Sequence, residues 1–247
     1  MSYKDATNEK LLALYKLHGA QSAISVAKAM LESKTHKTDM HFHSHLHGEI
    51  CETVLEILVL DFFKRYNLPK QGWFYKKGLI LKDVNNPGSG YFTELDLTVF
   101  TPQKIFAFEC KSYGGDKKIT DKCMIRKKRG GTCDVYDQHE KHFKVLSDQV
   151  QPFRIVSTDT RGFAPYQLAL FDYALGITQD TRSVENKIIM PCLDDTNVTN
   201  IFKTVENKPV LWDINRLKKV LDIIDRKSDE NRERHLKYVM GLHGPKS

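Results

Sequence analysis

The sequence lacks several features that would point to a membrane or an oxidising compartment. It has no apolar run of the roughly 18–20 residues that a membrane-spanning helix needs. The five cysteines are odd in number and form no Cys-x-x-Cys pair, which argues against a disulfide framework or a zinc ribbon. The opening MSYKDATNEK has no apolar core of the signal-peptide kind. We therefore expect a cytoplasmic protein without membrane association.

Internal repeats, low-complexity segments and helicase or other motor motifs are also absent, so no repeat architecture or pathway is indicated. What is present suits one medium-sized domain with an appendage: 247 residues, 40% of them hydrophobic and 28% charged. The net charge of +7 favours an anionic partner, nucleic acid first.

Two charged strands organise the chain. Residues 91–115 predict a pair of β-strands joined by a short turn, with acidic residues on the first and an acid and a lysine on the second. Side chains alternate across a strand, so Glu94 shares a face with Asp96, and Glu109 shares one with Lys111. The pairing of the strands would gather three carboxylates and one ammonium at one end of a sheet.

Such a gathering favours a divalent cation. The apolar residues Leu95, Leu97 and Val99 are expected on the opposite face of the first strand. Buried charges are costly unless they are paired or bind a cation, and Mg²⁺ or Mn²⁺ prefers carboxylate oxygens. Lys111 beside them can steady an attacking water or a developing phosphate charge. The alternative is a half-exposed hairpin with an ordinary ion pair.

The motif formed by Asp96 and Glu109-Cys110-Lys111 resembles the PD-(D/E)xK nuclease signature, with leucine in place of its proline. The sequence segments Glu94-Leu95-Asp96 and Phe108-Glu109-Cys110-Lys111, followed by Gly114-Gly115, are most similar to the nuclease-related domain (NERD) family. The resemblance covers residues 48–227. It implies a restriction-endonuclease-like α/β fold, a mixed central sheet flanked by helices, and metal-dependent hydrolysis of phosphodiester bonds, with DNA favoured over RNA and endonuclease action expected.

The resemblance also implies roles for the site residues. Asp96 and Glu109 would hold one or two Mg²⁺ (or Mn²⁺), with Glu94 as the alternative to Asp96, and the carbonyl of Cys110 would be a further ligand. Lys111 would orient the attacking water or neutralise the transition-state charge.

A helix carboxylate completes the implied site. Residues 48–64 predict an amphipathic helix. In the family this helix opens Gly-Glu-x-Gly-Glu, and here Cys51 replaces the second glycine. The resemblance makes Glu52 the carboxylate that faces the metal, directly or through water, with Glu49 as the alternative. Glu56 is expected on a solvated flank.

A second helix, predicted over residues 134–146, carries a glutamine and a histidine at the family's i, i+4 spacing. Gln138 and His142 would share one face. Gln138 would position the lysine or a phosphate. His142 would contact DNA, or would be a satisfied interior histidine. The family's Asn-Pro before the glutamine is absent.

The segment after the second strand is basic. Residues 111–131 contain eight Lys or Arg against two Asp. This run is either a solvated loop or a phosphate-gripping hairpin that gives affinity and salt dependence without sequence choice. The residues expected to bind nucleic acid here are Lys117, Lys118, Arg126, Lys127, Lys128 and Arg129.

The remaining chain is expected as follows. Residues 1–47 form a helical N-terminal extension, broken near Gly19, and residues 228–247 form a C-terminal helix and tail around the domain at 48–227. The alternating histidines of 41–47 would lie along an extended segment, as a linker or as ligands for a late transition metal. Further strands are expected near 154–157, 166–172, 186–191 and 209–212, followed by a helix over 215–226.

Three other functions stay open on the sequence. One is a nuclease fold that holds nucleic acid without cutting it, another a metal sensor built on the histidine tract, and the last a structural adaptor acting through the N-terminal helices. Oligomeric state is also open, and a homodimer would suit cleavage of both strands.

Overall fold

The computed structural model describes residues 3–32, 40–85, 92–111, 117–119, 124–127, 132–155, 166–170, 177–179, 187–190, 195–226 and 230–234. Within them lie the α-helices α1 (Tyr3–His18), α2 (Ala20–Glu32), α3 (Met40–Tyr66), α4 (Val135–Val150), α5 (Asp195–Lys203) and α6 (Ile214–Arg226), and residues 230–234 are also helical. None of these helices combines the length and the apolar character that crossing a bilayer requires.

The strands form two sheets. Their bounds are β1 (Phe74–Lys82), β2 (Phe92–Phe100), β3 (Ile105–Lys111), β4 (Lys117–Ile119), β5 (Met124–Lys127), β6 (Thr132–Asp134), β7 (Tyr166–Leu170), β8 (Ile177–Gln179) and β9 (Lys187–Met190). The first sheet has the order β1-β2-β3-β7-β9, and the second has the order β6-β5-β4-β8. In the first sheet β1, β2 and β3 are antiparallel, while β7 and β9 run parallel to β3. The expected mixed α/β architecture is confirmed.

A tight turn joins β2 to β3, as the sequence predicts. The hydroxyl of Thr101 accepts hydrogen bonds from the backbone N–H groups of Gln103 and Lys104. The backbone N–H of Thr101 donates to the carbonyl of Lys104 at 3.0 Å. The side chain therefore supplies the local hydrogen bonds that hold the two charged strands in one register.

Apolar side chains pack in two clusters of buried residues. The first cluster includes residues of α1, α2, α3 and α5 together with Phe106 and Phe108 of β3. The second cluster includes residues of α4 and α6 together with Ile105 and Ala107 of β3. The alternation along β3 thus sends neighbouring side chains to opposite clusters, as the strand period of two requires.

The alternation expected for β2 was wrong at one residue. Leu97 and Val99 pack in the first cluster, but Leu95 packs in the second. The change of side coincides with Gly78 of β1, which lies between the pairs that β1 makes with Leu97 and Leu95. Gly78 has a φ of 60°, a backbone conformation that residues other than glycine rarely adopt, so the pleat of β1 is interrupted at this point.

The N-terminal helices share the core of the first sheet. Gly19, with a φ of 82°, separates α1 from α2 as expected. Leu11 and Ala27 are fully buried in the cluster that contains Leu55 and Phe106. The hydrophobic effect therefore joins this extension to the sheet rather than leaving it as a free appendage.

Three local expectations were wrong. The histidine tract does not form an extended segment, because α3 begins at Met40, and alternate residues of a helix do not share a face. The strand expected near 154–157 is not formed at its two described residues, since Arg154 makes an isolated bridge to Trp212 and Ile155 lies in a bend. The strand expected near 209–212 is likewise reduced to that one bridge at Trp212. Residues 156 and 157 lie outside the described residues. The sequence reading also missed α5 and β8, while the expected helix near 215–226 is confirmed as α6.

Phe202 of α5 tests the first cluster. Its ring contacts those of Phe62, Trp73, Phe106 and Phe108, at centroid distances of 5.1 to 6.0 Å. We expect Phe202→Ala to lower the free energy of unfolding by about 3–5 kcal/mol, because it opens a cavity among these rings. Urea unfolding measures the loss.

The control is Ile223→Ala on α6, whose side chain is exposed. It should change the unfolding free energy by about 0.5 kcal/mol or less. Similar losses in both variants would contradict a core role for α5.

Candidate active site at the divergence of two strands

Asp96 and Glu109 face each other where β2 and β3 separate. The pairing of these strands runs from Phe100↔Ile105 to Leu97↔Phe108, so the next opposed pair in register is Asp96 and Glu109. β2 pairs with β1 along its other edge over its whole length, and β3 pairs with β7 along its other edge from Phe108 onward. The separation opens a notch in the sheet with one carboxylate on each side.

Asp96 is held by the backbone of the opposite strand. Its Oδ2 atom accepts a hydrogen bond of 2.6 Å from the N–H of Cys110. Burial and the neighbouring charge of Glu109 together raise the pKa of Asp96 to about 8, because they outweigh the ammonium of Lys111, which lowers it. One hydrogen bond and one lysine are therefore insufficient to keep this carboxylate ionised at neutral pH.

Glu109 is the carboxylate that the site keeps charged. Its side chain is 1% exposed, and its two oxygens face Lys111 and His142. Lys111 donates a hydrogen bond to Oε1, and the buried Nδ1 of His142 lies 3.4 Å from Oε2, which is a long contact. Burial alone would raise the pKa of Glu109, but the imidazole of His142 and the ammonium of Lys111 outweigh it and lower the pKa.

A carboxylate from α3 approaches the same notch. Burial raises the pKa of Glu52 well above its ordinary value, and the charges of Asp96 and then Glu49 raise it further. Glu49 accepts a hydrogen bond of 2.9 Å from the side-chain amide of Asn8 in α1. Glu52, one of the two helix acids that the sequence left open, is thus under the influence of Asp96.

The carboxylates near the notch are ligands that suit a hard cation, although they do not surround one in their present positions. Glu52, Asp96 and Glu109 offer carboxylate oxygens, the ligands that Mg²⁺ prefers. The raised pKa of Asp96 shows that the cluster lacks positive charge, and cation binding would favour its deprotonation. In the described part of the chain, however, no three His, Cys, Asp or Glu side chains converge closely enough to hold an ion as they stand.

Two thiols lie directly behind this cluster. Cys51 and Cys110 are both free and buried. The thiol of Cys51 raises the pKa of Cys110 well above its ordinary value, and burial adds to the effect. The cysteine that replaces the family's glycine on α3 therefore packs against the cysteine between Glu109 and Lys111. The ligand role expected for the carbonyl of Cys110 stays a prediction.

The sequence reading missed a polar network beside the notch. Lys77 of β1 donates to the hydroxyl of Thr53 at 2.9 Å and pairs with Glu56 at 3.2 Å. The hydroxyl of Tyr75 donates to the other oxygen of Glu56 at 3.0 Å. The expectation that Glu56 lies on a solvated flank was therefore wrong. The signal available in the sequence was the spacing of Tyr75 and Lys77, which places both on one face of a strand, together with the spaced acids of the preceding helix.

The other predicted site residues are placed as follows. Gln138 is exposed, one helical turn before His142, which contacts Glu109 inside the cluster. In the second sheet Lys117 pairs in register with Lys127, and Lys118 with Arg126, so four basic residues are opposed on two strands. Lys128 and Arg129 lie outside the described residues. The nucleic-acid contacts of all these residues stay predictions.

The fold is thus mixed α/β, and its notch contains an acidic site with an adjoining lysine at the end of a strand pair. The family model described as the nuclease-related domain matches residues 53–162, and the resemblance to the NERD family is confirmed over this segment. The segment contains Asp96, Glu109 and Lys111, while Glu52 immediately precedes it. The comparisons with curated proteins and with solved structures gave no match.

The pH dependence of stability tests the raised pKa of Asp96. Its pKa is about 8 in the folded protein against an ordinary 3.8, so the folded state binds this proton more tightly than the unfolded state. The resulting stability is fully present below about pH 4 and is lost as the pH rises through about 8. In metal-free buffer, the unfolding free energy of the wild type should therefore fall relative to that of Asp96→Asn across this interval.

Urea unfolding at several pH values measures the difference between the two proteins. Glu94→Gln, on the same strand with an ion pair to Arg232 at 3.7 Å, controls for the loss of one carboxylate. A difference between wild type and Asp96→Asn that stays constant across the interval would contradict the assignment.

Proposed function

We propose that this protein is a divalent-metal-dependent nuclease that hydrolyses phosphodiester bonds, with DNA as substrate and internal cleavage as its mode. The observation that supports the proposal is the electrostatic coupling of three buried acids beside one lysine: the charge of Glu109 raises the pKa of Asp96, the charge of Asp96 raises that of Glu52, and Lys111 donates to Glu109. A restriction-endonuclease-like arrangement of the central sheet is part of the proposal. The match to the nuclease-related domain supports it.

The residues would divide the work by their environments. Asp96 and Glu109 would hold Mg²⁺ or Mn²⁺ from opposite strands, with Glu52 completing the shell or acting through water. When bound, the ion would lower the pKa of a water molecule and stabilise the leaving oxygen. Lys111 would orient that water or neutralise charge on the phosphate, and release from Glu109 would free its ammonium for this task.

His142 would keep Glu109 ionised and oriented. Its imidazole is the neighbour that lowers the pKa of Glu109 most, ahead of Lys111. A carboxylate whose pKa is lowered, beside two whose pKa values are raised, would be the first anchor for an entering cation. A DNA contact by His142 would require it to leave this buried position.

Binding of the substrate would rest on the basic character of the chain. The net charge is +7, and the paired basic residues of β4 and β5 follow directly after Lys111 in the chain. Contacts of this kind provide affinity that falls with salt and carry little sequence information. We expect a nuclease with broad sequence tolerance, and a homodimer would place two such sites on one duplex.

The second candidate is a nuclease fold that binds nucleic acid without cutting it. It is favoured by the way the site satisfies its own charges: Lys111 and His142 face the two oxygens of Glu109, and the N–H of Cys110 bonds Asp96. A site of this kind can be stable without a cation. The two candidates differ in whether a phosphodiester bond is broken.

Cleavage of DNA separates them. Supercoiled and linear DNA should be cut by the wild type with Mg²⁺ or Mn²⁺ and left intact with EDTA. Asp96→Asn and Lys111→Ala should slow cleavage by about 100-fold or more, because each removes charge at the reacting phosphate or its ion. Nicked circles would show endonuclease action, and shortened linear ends would show exonuclease action.

Glu94→Gln is the discriminating variant, since it lies two residues from Asp96 but pairs with Arg232. It should retain cleavage. Wild-type rates from Lys111→Ala would refute the mechanism. Intact DNA with every cation, together with salt-sensitive binding, would leave the non-cleaving module as the function.

Metal binding can be tested apart from cleavage. A ligand that binds only the folded state raises the melting temperature, so Mg²⁺ should raise the Tm of the wild type. Asp96→Asn should reduce this rise, because it removes an ionisable oxygen ligand, whereas Glu94→Gln should keep it. Equal shifts for wild type and Asp96→Asn in a Mg²⁺ titration would place the ion elsewhere.

A further inference from the structure

A cavity of about 630 Å³ opens along the edge strand β1, outside the acidic cluster. Aromatic side chains from three elements line it: Tyr15 of α1, Phe63 of α3, and Trp73, Phe74 and Tyr75 at the start of β1. Its volume lies within the 300–1,000 Å³ that is typical of small-molecule sites. The cavity is therefore large enough for one aromatic ligand held between rings.

The rim of the cavity is basic. Lys64 of α3 and Lys218 of α6 line it, and neither makes an ion pair with a described residue. Lys218 places its Nζ 5.9 Å from the centre of the Phe74 ring. The third lysine, Lys76, is held by Asp222 at 2.8 Å. Because Asp222, the acid of the lining, is paired with Lys76, the ammonium groups of Lys64 and Lys218 remain beside the aromatic side chains.

We propose that this cavity binds a nucleoside phosphate, with its base between the aromatic side chains and its phosphate at Lys64 and Lys218. Every nucleobase has a flat face that stacks on aromatic rings, and lysines bind phosphate as compact charges. This site goes beyond the proposed hydrolysis, since no residue of the acidic cluster lines it.

Other ligand classes fit the lining less well. A purely apolar molecule would leave Lys64 and Lys218 without a partner, and inorganic phosphate would leave the aromatic wall unused. Among the described lining residues, a metal cation would meet only one carboxylate, that of Asp222, which already pairs with Lys76. The combination of rings and uncompensated ammonium groups selects a ligand that is both aromatic and anionic.

The nucleoside phosphate can be free or part of a strand. Glu52 and Lys64 lie twelve residues apart on α3, which corresponds to about 18 Å along the helix axis. At the 3.4 Å rise per nucleotide of a stacked strand, this span equals about five nucleotides. A single strand of that length or longer could occupy the cavity and the notch together, whereas a mononucleotide would occupy the cavity alone.

Trp73 provides a direct reporter of occupancy. The chain has two tryptophans, and Trp212 is buried in the second cluster, so Trp212→Phe leaves Trp73 as the single emitter. We would titrate this variant with adenosine 5′-monophosphate in EDTA and follow its fluorescence. Calorimetric titration of the full wild-type chain gives the same Kd without the substitution, so a poorly folding variant does not prevent the test.

Adenosine monophosphate should change the emission of Trp73, and adenosine or inorganic phosphate should bind at least about tenfold more weakly. Lys64→Ala with Lys218→Ala should weaken the nucleotide about tenfold. The matched control removes two exposed lysines outside the cavity, Lys10→Ala with Lys219→Ala, and should keep the affinity.

Oligonucleotides longer and shorter than about five residues distinguish the two sources. Binding of the mononucleotide points to a free nucleotide, and binding only of oligonucleotides, weakened by the same two lysine changes, points to a strand. Affinity for none of them, or affinity that both lysine pairs reduce equally, would overturn the proposal. Because EDTA is present throughout, an absence of cleavage leaves this result unaffected.

Discussion

The structure depends on the burial of several carboxylates next to one another where two strands separate. Glu109 lies opposite Asp96, and α3 brings Glu52 to the same notch. Like charges in a poorly solvated place repel, so each must find a cation, a hydrogen bond or a proton. Lys111 and His142 satisfy Glu109, whereas Asp96 has its pKa raised to about 8.

This arrangement involves elements far apart in the chain. Asn8 of α1 donates to Glu49 and accepts from Thr53, and Lys77 of β1 donates to Thr53 and pairs with Glu56. A polar chain thus crosses from the N-terminal helices over α3 to the edge of the sheet. The N-terminal extension therefore contacts the flank of the site as well as the core.

Local patterns accounted for most of what the sequence revealed. The strand period of two placed Glu109 and Lys111 on one face of β3, where they form an ion pair, and Gly19 marked the break between two helices because it accepts a positive φ. The same rule failed for Leu95, since the interruption at Gly78 belongs to the neighbouring strand. Helix α5 was missed because its few apolar residues, such as Phe202, gain meaning only against the core.

What the sequence by itself determined is the set of charged groups and the strand pair that carries them, because both follow from short-range periodicity and turn chemistry. Only the tertiary structure decided that the charge of Asp96 reaches Glu52 of α3, and that His142 faces Glu109. It also decided that distant aromatic and basic residues line one cavity beside β1. These choices depend on how helices pack across the sheet, and spacing along the chain carries no record of those distances.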